Sequence, residues 1–462
     1  MRNVLLLIVA FVAFANAQFF YDKHGESRGA YNDSMEYAEL VELAQRFRGP
    51  ILVKKPVEGV EPRKNLEKIS QDKIQRTFDV KRKSLRKELW LEVEKNEIVK
   101  ICVDGPVVAW ETSLNSNVFN DSCLVFTVPT LIGVESIKVY LPESDSSRKI
   151  NLAIGMKYLN FKNEKVLLGY NKYGPGSLRL DDDVEEDPER LISITGSYLV
   201  DKYPVTNCEI VQVLWDSIPA TSSYKNPGYK KMHHSDWLSK KMNSIRNENC
   251  IAHDTVAKTV TLFQAMKYAN ARSVREGLIP YYRFSTSDKY EEQFLSKGRY
   301  IVGRWDFCGH DNKFILVSAD ETSDGYRLPY YDEWMMLARG GDKKNKAPWG
   351  SILAPLEEIQ KFARFDNLFG MDETRLYFSE PVGQLLPNGY GLYDMFGLVE
   401  EHVLLENDIF PGNLGLPSVR KGGGLGYGHR STGHTGNGAG FRLVRNIGNN
   451  AKWKEIETDP KQ

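Results

Sequence analysis

The sequence predicts an α+β protein in which a small all-β, sandwich-like domain precedes a larger domain of short helices and strands. Two observations predict this class. Apolar residues alternate with period two between residues 88 and 154, and three capped helices follow beyond residue 155. The fold class alone says nothing about function, which has to be argued from particular residues.

The composition excludes a strong electrostatic partner. The chain has 462 residues, with 61 Lys and Arg balanced by 61 Asp and Glu. No overall field therefore attracts nucleic acid or an anionic membrane, and we expect no nucleic-acid partner. The length predicts two or three domains.

The first 17 residues predict a cleavable signal peptide. Arg2 precedes an apolar run, and Ala15–Ala17 forms an A-x-A cleavage motif, so we expect cleavage after Ala17. The alternative, a membrane anchor, requires about 20 apolar residues, and this run is shorter. The protein is therefore expected to be secreted, periplasmic or at the cell surface. No later segment is apolar enough to predict a transmembrane helix.

Five cysteines are consistent with that compartment, where disulfides are favoured over metal sites. Cys102 can pair with Cys123, and Cys208 can pair with Cys250. Cys308 is then left over.

Residues 18–87 predict a helical and charged segment. Asp33 can cap a helix that ends at Gly49 and Pro50. The basic stretch 81–87 favours a solvated face or a linker. Strands are then predicted within the β domain 88–154, at residues 89–93, 98–103, 107–110, 123–128, 137–141 and 150–154.

The larger domain is predicted at residues 155–447. A polar C-terminal tail is predicted at residues 448–462. Capping boxes at Thr206 and Thr261 begin two helices, and a third begins after Pro329 and ends at Gly340. The acidic run 181–187 favours a solvated turn, with a calcium site as the alternative.

Six motifs follow one another in this larger domain. They are Asp201–Asn207, Arg275–Tyr282, Gly325–Gly341 with Pro348–Gly350, Val382–Gly397, Lys421–Gly423 and Gly440–Val444. In this order and spacing they resemble the formylglycine-generating enzyme, or sulfatase-modifying factor, family. The resemblance covers about residues 155–447. It implies an α+β fold related to C-type lectins, with little regular secondary structure.

The resemblance also implies which chemistry is missing. In the family, two cysteines after the R-G-G-S motif bind copper(I) and oxidise a substrate cysteine to formylglycine. Tyr427 and Thr432 stand at those positions, and no cysteine follows Cys308. Copper(I) requires soft thiolate ligands. We therefore expect no copper and a non-catalytic protein, that is, a pseudoenzyme.

A structural calcium site is implied by the same resemblance. The family's calcium ligands match Asp394, Gly397, Val399 and Glu401, which would supply two carboxylates and two backbone carbonyls. The alternative is that Asp394 and Glu401 only cap turns.

The resulting hypothesis is a secreted binding or structural module for an extracellular or envelope partner, which is a glycan, a peptide or a protein. The candidate ligand surface comprises Tyr427, His429, Arg430, Thr432 and His434. One alternative is a metal-dependent oxidoreductase with a site rebuilt from His402, His429 and His434. Another is a cell-envelope assembly component, although no cysteine lies near the cleavage motif to carry a lipid.

Overall fold

The computed structural model divides the chain into two compact units. One is Arg48–Tyr158, and the other comprises Met1–Phe47 with Leu159–Gln462. The structure describes residues 18–21, 27–31, 53–54, 73–120, 122–144, 146–170, 187–213, 255–257, 260, 262–287, 300–304, 314–320, 322–341, 347–350, 354–364, 381–404, 419–421 and 439–456. Within these residues no helix is long and apolar enough to cross a membrane.

The 48–158 unit contains two β-sheets. A five-stranded sheet has the order β3-β7-β10-β11-β5, and a four-stranded sheet has the order β4-β6-β9-β8. The strands are β3 Val53–Lys54, β4 Arg76–Val80, β5 Leu89–Val93, β6 Ile98–Val103, β7 Ala109–Glu111, β8 Ser116–Asn120, β9 Cys123–Thr127, β10 Gly133–Tyr140 and β11 Arg148–Ile154. Two neighbouring pairs are parallel, β11 with β5 and β4 with β6.

The core of this unit is formed by the alternate side chains of both sheets. On β6, Val99 and Ile101 are fully buried, while Lys100 between them is partly exposed. They belong to one cluster with Trp110 of β7 and Ile137 of β10. Period-two alternation places these apolar side chains on one face of each strand, and their burial in one cluster stabilises the unit.

The disulfide Cys102–Cys123 joins directly opposed residues of β6 and β9, which confirms that predicted pairing. Cys208 is also disulfide-bonded, and its partner lies outside the described residues.

Strand positions in this unit agree with the sequence prediction, but the unit begins earlier than residue 88. β3 and β4 precede that residue, and a 3₁₀ helix occupies Arg82–Arg86. The basic residues of 81–87 are mostly exposed, as predicted for a solvated face, but Leu85 of the same 3₁₀ helix is buried in the core. A single apolar residue among charges leaves no periodic signal in the sequence.

The larger unit contains a hairpin, β1 Gln18–Tyr21 with β2 Ser27–Tyr31, within the segment predicted to be helical and charged. The predicted signal peptide and the helix after Asp33 lie outside the described residues. A four-stranded sheet has the order β12-β13-β22-β17. Its strands are β12 Met156–Tyr170, β13 Asp187–Asp201, β17 Tyr326–Arg327 and β22 Val444–Ile456.

The predicted polar tail at 448–462 was wrong up to residue 456. β22 runs antiparallel to the long strand β13, with Leu191 opposite Ile456. The sequence of β22 is polar, so its strand character comes from the backbone hydrogen bonds that β13 offers, not from an apolar pattern of its own.

The three predicted helices are present as α1 Asn207–Val213, α2 Leu262–Arg275 and α3 Tyr331–Arg339. The capping box before α1 is reciprocal. The Thr206 hydroxyl accepts from the Glu209 N–H at 3.2 Å, and the Glu209 carboxylate accepts from the Thr206 N–H at 3.0 Å. Gly340 ends α3 with φ +65°, a conformation that favours glycine.

The remaining described elements are short. They are β14 Tyr282–Ser287, β15 Tyr300–Arg304, β16 Phe314–Ala319, α4 Leu356–Ile359, β18 Ala363–Arg364, β19 Phe396–Gly397, β20 Glu401–Val403 and β21 Val419–Lys421. The core of the unit packs Trp334 and Leu337 of α3 against Leu392, Phe396 and Val403. This packing holds the segment 392–403, which carries the predicted calcium ligands, against helix α3.

Candidate functional site

The strand β20 holds both ends of the segment that carries the predicted ligand surface. On one side, Lys421 of β21 pairs antiparallel with Glu401. On the other side, Gly440 pairs with the same residue in a parallel bridge. The Gly440 carbonyl accepts from the His402 N–H at 2.9 Å, and the Gly440 N–H donates to the Glu400 carbonyl at 2.7 Å. The residues that flank 422–438 therefore both lie beside one three-residue strand.

Gly440 is required at this re-entry point. A Cβ placed on it would lie 2.6 Å from the Val399 side chain and 3.1 Å from the Ala257 carbonyl. Ala439 beside it exchanges two backbone hydrogen bonds of 3.0 Å with Val260. This end of the segment is thus fixed on two sides by backbone contacts, whatever the sequence of residues 422–438.

The residues proposed for the ligand surface lie within that segment and outside the described residues. They are Tyr427, His429, Arg430, Thr432 and His434. The structure therefore describes what positions the ends of the segment, and the surface itself stays a prediction.

Glu401 forms a buried ion pair that the sequence did not predict. Glu401 and Arg442 are both fully buried. The Arg442 Nε donates to Oε1 and Oε2 of Glu401 at 3.0 and 2.8 Å, and its Nη2 donates to Oε1 at 2.7 Å. The Trp334 indole N–H donates to Oε2 at 2.8 Å. A carboxylate has about four acceptor positions, and these four contacts fill them.

Arg442 also satisfies backbone carbonyls from distant segments. Its Nη2 donates to the Tyr393 carbonyl at 2.8 Å, and its Nη1 donates to the Asp201 and Lys202 carbonyls at 3.3 and 3.4 Å. One guanidinium thus joins the end of β13, the segment before Asp394 and strand β20. Its planar arrangement of five N–H donors makes this possible.

A second buried pair lies next to the first. Arg272 Nη1 donates to both carboxylate oxygens of Asp201, at 2.8 and 3.0 Å, and Asp201 Oδ2 accepts from the Leu443 N–H at 3.0 Å. Burial alone lowers the pKa of Arg272, but the combined attraction of Asp201, Tyr326, Tyr268 and Glu276 outweighs it and raises that pKa above its ordinary value. The guanidinium also lies 4.0 Å from the ring centre of Tyr326.

The His402 side chain is hydrogen-bonded to the backbone of the domain. Its side chain is 2% exposed, and Nε2 lies 2.7 Å from the Val260 carbonyl. Since a carbonyl only accepts hydrogen bonds, Nε2 carries the proton and is the donor. This nitrogen is therefore not available to a metal, which removes one ligand atom from the predicted His402, His429 and His434 site.

The comparison with known families now identifies the domain. The model described as the sulfatase-modifying factor enzyme 1-like domain matches residues 169–447, more than half of the chain. The chain belongs to this family. The predicted family was therefore confirmed, and the matched range lies within the predicted range 155–447.

The curated relatives that match cover different lengths of the chain. A chaperone protein, LppX, of Paenibacillus barcinonensis is 33% identical over 149 residues, which is 31% of this chain and 49% of that protein. A formylglycine-generating enzyme of Thermomonospora curvata is 38% identical over 86 residues, 18% of this chain and 28% of that enzyme. An inactive C-alpha-formylglycine-generating enzyme 2 of Mus musculus is 38% identical over 81 residues, 17% of this chain and 25% of that protein.

The chain thus spans about half or less of the length of these relatives.

Among solved structures, Treponema denticola variable protein 1 superposes with a TM-score of 0.39 at 19% identity, covering 68% of this chain and 99% of that one. The structure of CarF superposes with a TM-score of 0.35 at 19% identity, covering 63% and 98%. Superpositions this loose carry no conclusion here.

The family's calcium site is only partly compatible with the contacts seen in this member. The Asp394 carboxylate accepts from the Gly383 N–H at 2.6 Å, and the Gly397 carbonyl accepts from the Val399 N–H at 2.6 Å. The Glu401 carboxylate does not fit a calcium ligand, because Arg442 and Trp334 occupy its acceptor positions. Among the described residues no group of three or more His, Cys, Asp or Glu forms a metal cluster. The calcium site as a whole stays a prediction.

Proposed function

We propose that this member of the sulfatase-modifying factor family is a secreted, non-catalytic module that binds a partner through residues 422–438. The observation that carries the proposal is the absence of cysteine after Cys308 in the sequence. Tyr427 and Thr432 stand where the family's copper-binding cysteines are expected. Neither a phenol nor an alcohol replaces a thiolate as a copper(I) ligand.

The anchoring of the segment supports a binding role. Both ends of residues 422–438 are held on β20 by backbone hydrogen bonds that do not depend on the side chains between them. A rigid scaffold that presents a loop is a common arrangement for recognition. The buried side chains of Glu401 and His402 belong to this scaffold, so they are not free to act on a substrate.

The relatives support the same proposal. One of them is named an inactive formylglycine-generating enzyme, and the relative with the longest of the matches given above is named a chaperone protein. Together they favour a non-catalytic role and a protein partner over a glycan or a free peptide.

Secretion is supported by the disulfides. Cys102–Cys123 and the bonded Cys208 require an oxidising compartment to persist, which agrees with the predicted signal peptide. We also infer that the two sheets of the 48–158 unit form a sandwich, and that the larger unit is related to C-type lectins.

The non-catalytic proposal is tested on the purified full chain. It is incubated with a cysteine-containing sulfatase peptide, oxygen and copper(I), and the peptide is analysed by mass spectrometry for the thiol-to-aldehyde change. We expect no aldehyde, and no stoichiometric copper or iron in elemental analysis. Aldehyde formation, or iron or copper near one equivalent, contradicts the proposal and makes His429 and His434 the first residues to change.

The binding surface is tested by a matched pair of variants. Partners cross-linked to the wild-type chain in its native extracellular fraction are identified, and their affinity is then measured with the Tyr427→Ala and Lys361→Ala variants. We expect weaker binding for Y427A only, with unchanged unfolding temperature in both. Equal affinity of all three chains argues against residues 422–438 as the contact surface.

A further inference from the structure

The contacts of Arg442 point to an alternative for the predicted calcium ion. We propose that the Arg442 guanidinium serves as the built-in cation of the 393–401 segment, and that this segment folds without calcium. The proposal does not depend on the proposed function, since it concerns how the scaffold is held and not what it binds.

The charge of the buried site favours the guanidinium over a calcium ion. A bound calcium ion in this segment would neutralise the carboxylate of Glu401, which is fully buried. Arg442 already does so at 2.7 Å. A divalent cation at the same carboxylate would approach a permanently charged guanidinium in a buried site, where the repulsion is much less screened than in water.

The coordination that calcium requires also disfavours the ion at this segment. Calcium requires six to eight oxygen ligands. The Glu401 oxygens accept three bonds from Arg442 and one from Trp334, and the Asp394 and Gly397 oxygens accept from the Gly383 and Val399 N–H groups. At Glu401, a calcium ion would therefore have to displace hydrogen bonds that already fill the acceptor positions of the carboxylate.

A structural calcium ion would have to link residues 393–401 to the rest of the domain. Arg442 does this through the Tyr393, Asp201 and Lys202 carbonyls, and Trp334 links Glu401 to helix α3. The guanidinium thus joins the same segment to β13, while the indole joins it to α3.

The decisive experiment uses the wild-type full chain. Its unfolding temperature is measured after EDTA treatment and again with millimolar calcium, and calcium binding is followed by isothermal titration calorimetry. We expect a change below about 1 °C and no stoichiometric binding. A rise of several degrees with calcium, or one equivalent bound and lost in Asp394→Ala, overturns the proposal.

A variant pair tests the guanidinium itself. Glu401→Gln removes the buried negative charge and is expected to lower the unfolding temperature by roughly 10 °C, with no recovery in calcium, because Arg442 is left uncompensated. The control is Glu358→Gln, which changes an exposed ion pair with Lys361. It is expected to shift the unfolding temperature by less than about 2 °C. Equal shifts in the two variants overturn the proposal; if E401Q does not fold, the wild-type titration decides alone.

Discussion

The two compact units of this chain are stabilised by different interactions. In the 48–158 unit the core is apolar, and each described ion pair has a partner at least 22% exposed. In the larger unit, three arginine–carboxylate pairs have both partners at most 5% exposed: Arg272–Asp201, Arg327–Glu333 and Arg442–Glu401.

The difference follows from how the backbone N–H and C=O groups of each unit are hydrogen-bonded. In the smaller unit, β-ladders pair backbone groups of neighbouring strands, and the main cluster of buried side chains is apolar, with buried polar residues such as Glu111 and Asn151 outside it. The larger unit has irregular segments whose carbonyls have no ladder, and a buried arginine donates to them, as Arg442 does to Tyr393 and Lys202. In the larger unit, a buried guanidinium thus supplies hydrogen-bond donors to backbone carbonyls that lie outside the β-ladders.

The largest expected effect is the loss of a buried arginine. Arg272→Met leaves the Asp201 carboxylate buried without its cation and should destabilise the larger unit by about 3–5 kcal/mol in denaturant unfolding. Lys361→Met removes one partner of an exposed pair and should cost less than about 1 kcal/mol. Similar losses in the two variants would remove the distinction between buried and exposed pairs.

The apolar core of the smaller unit should be sensitive to volume instead. Leu124→Ala removes a fully buried side chain of β9 and should cost about 3 kcal/mol, because it leaves a cavity that the sheets cannot close completely. Unfolding is followed by hydrogen exchange of residues 48–158. An effect confined to the larger unit would show that this cluster is not the core of the smaller one.

The disulfide of the smaller unit should contribute a similar amount. Its cysteines are 21 residues apart, and closing a loop of that size restricts the unfolded chain by about 3 kcal/mol. The double variant Cys102→Ala with Cys123→Ala should lower the unfolding midpoint of residues 48–158 under non-reducing conditions. Dithiothreitol should then affect those residues in the wild type but not in the variant.

The smallest expected effect depends on pH. Hydrogen bonds from Lys138 and Tyr140 to the Glu111 carboxylate lower its pKa below the ordinary 4.5. This contribution is therefore present above pH 4.5 and is lost as pH falls through the lowered folded-state pKa. Glu111→Gln should destabilise by at most about 1 kcal/mol at pH 7 and match the wild type near pH 2. A constant difference at both pH values would contradict this origin.

The sequence predicted those features that depend on neighbouring residues. Period-two alternation of Leu89, Leu91 and Val93 predicted β5, and the T-x-x-E box predicted the start of α1, because both signals are local. The long strands β12 and β13 and the polar strand β22 were missed, since their pairing joins residues such as Leu191 and Ile456 that are far apart in the chain.

The buried pairs were missed for the same reason. Arg442 and Glu401 are 41 residues apart, and Arg272 and Asp201 are 71 apart. A local signal was nevertheless present for Arg442, because it stands between Phe441 and Leu443, where the neighbouring side chains are all buried. An arginine within an apolar run indicates a buried carboxylate partner elsewhere in the chain.

The placement of residues 422–438 beside β20 has an evolutionary consequence. Lys421 and Gly440 pair with opposite edges of that strand, so about 10 Å separates the two ends, which is two strand spacings. Insertions, deletions and substitutions between these ends leave the hydrogen bonds of the frame unchanged. The domain is therefore suited to loop grafting, and homologues should differ in length here before they differ at Gly440 or Arg442.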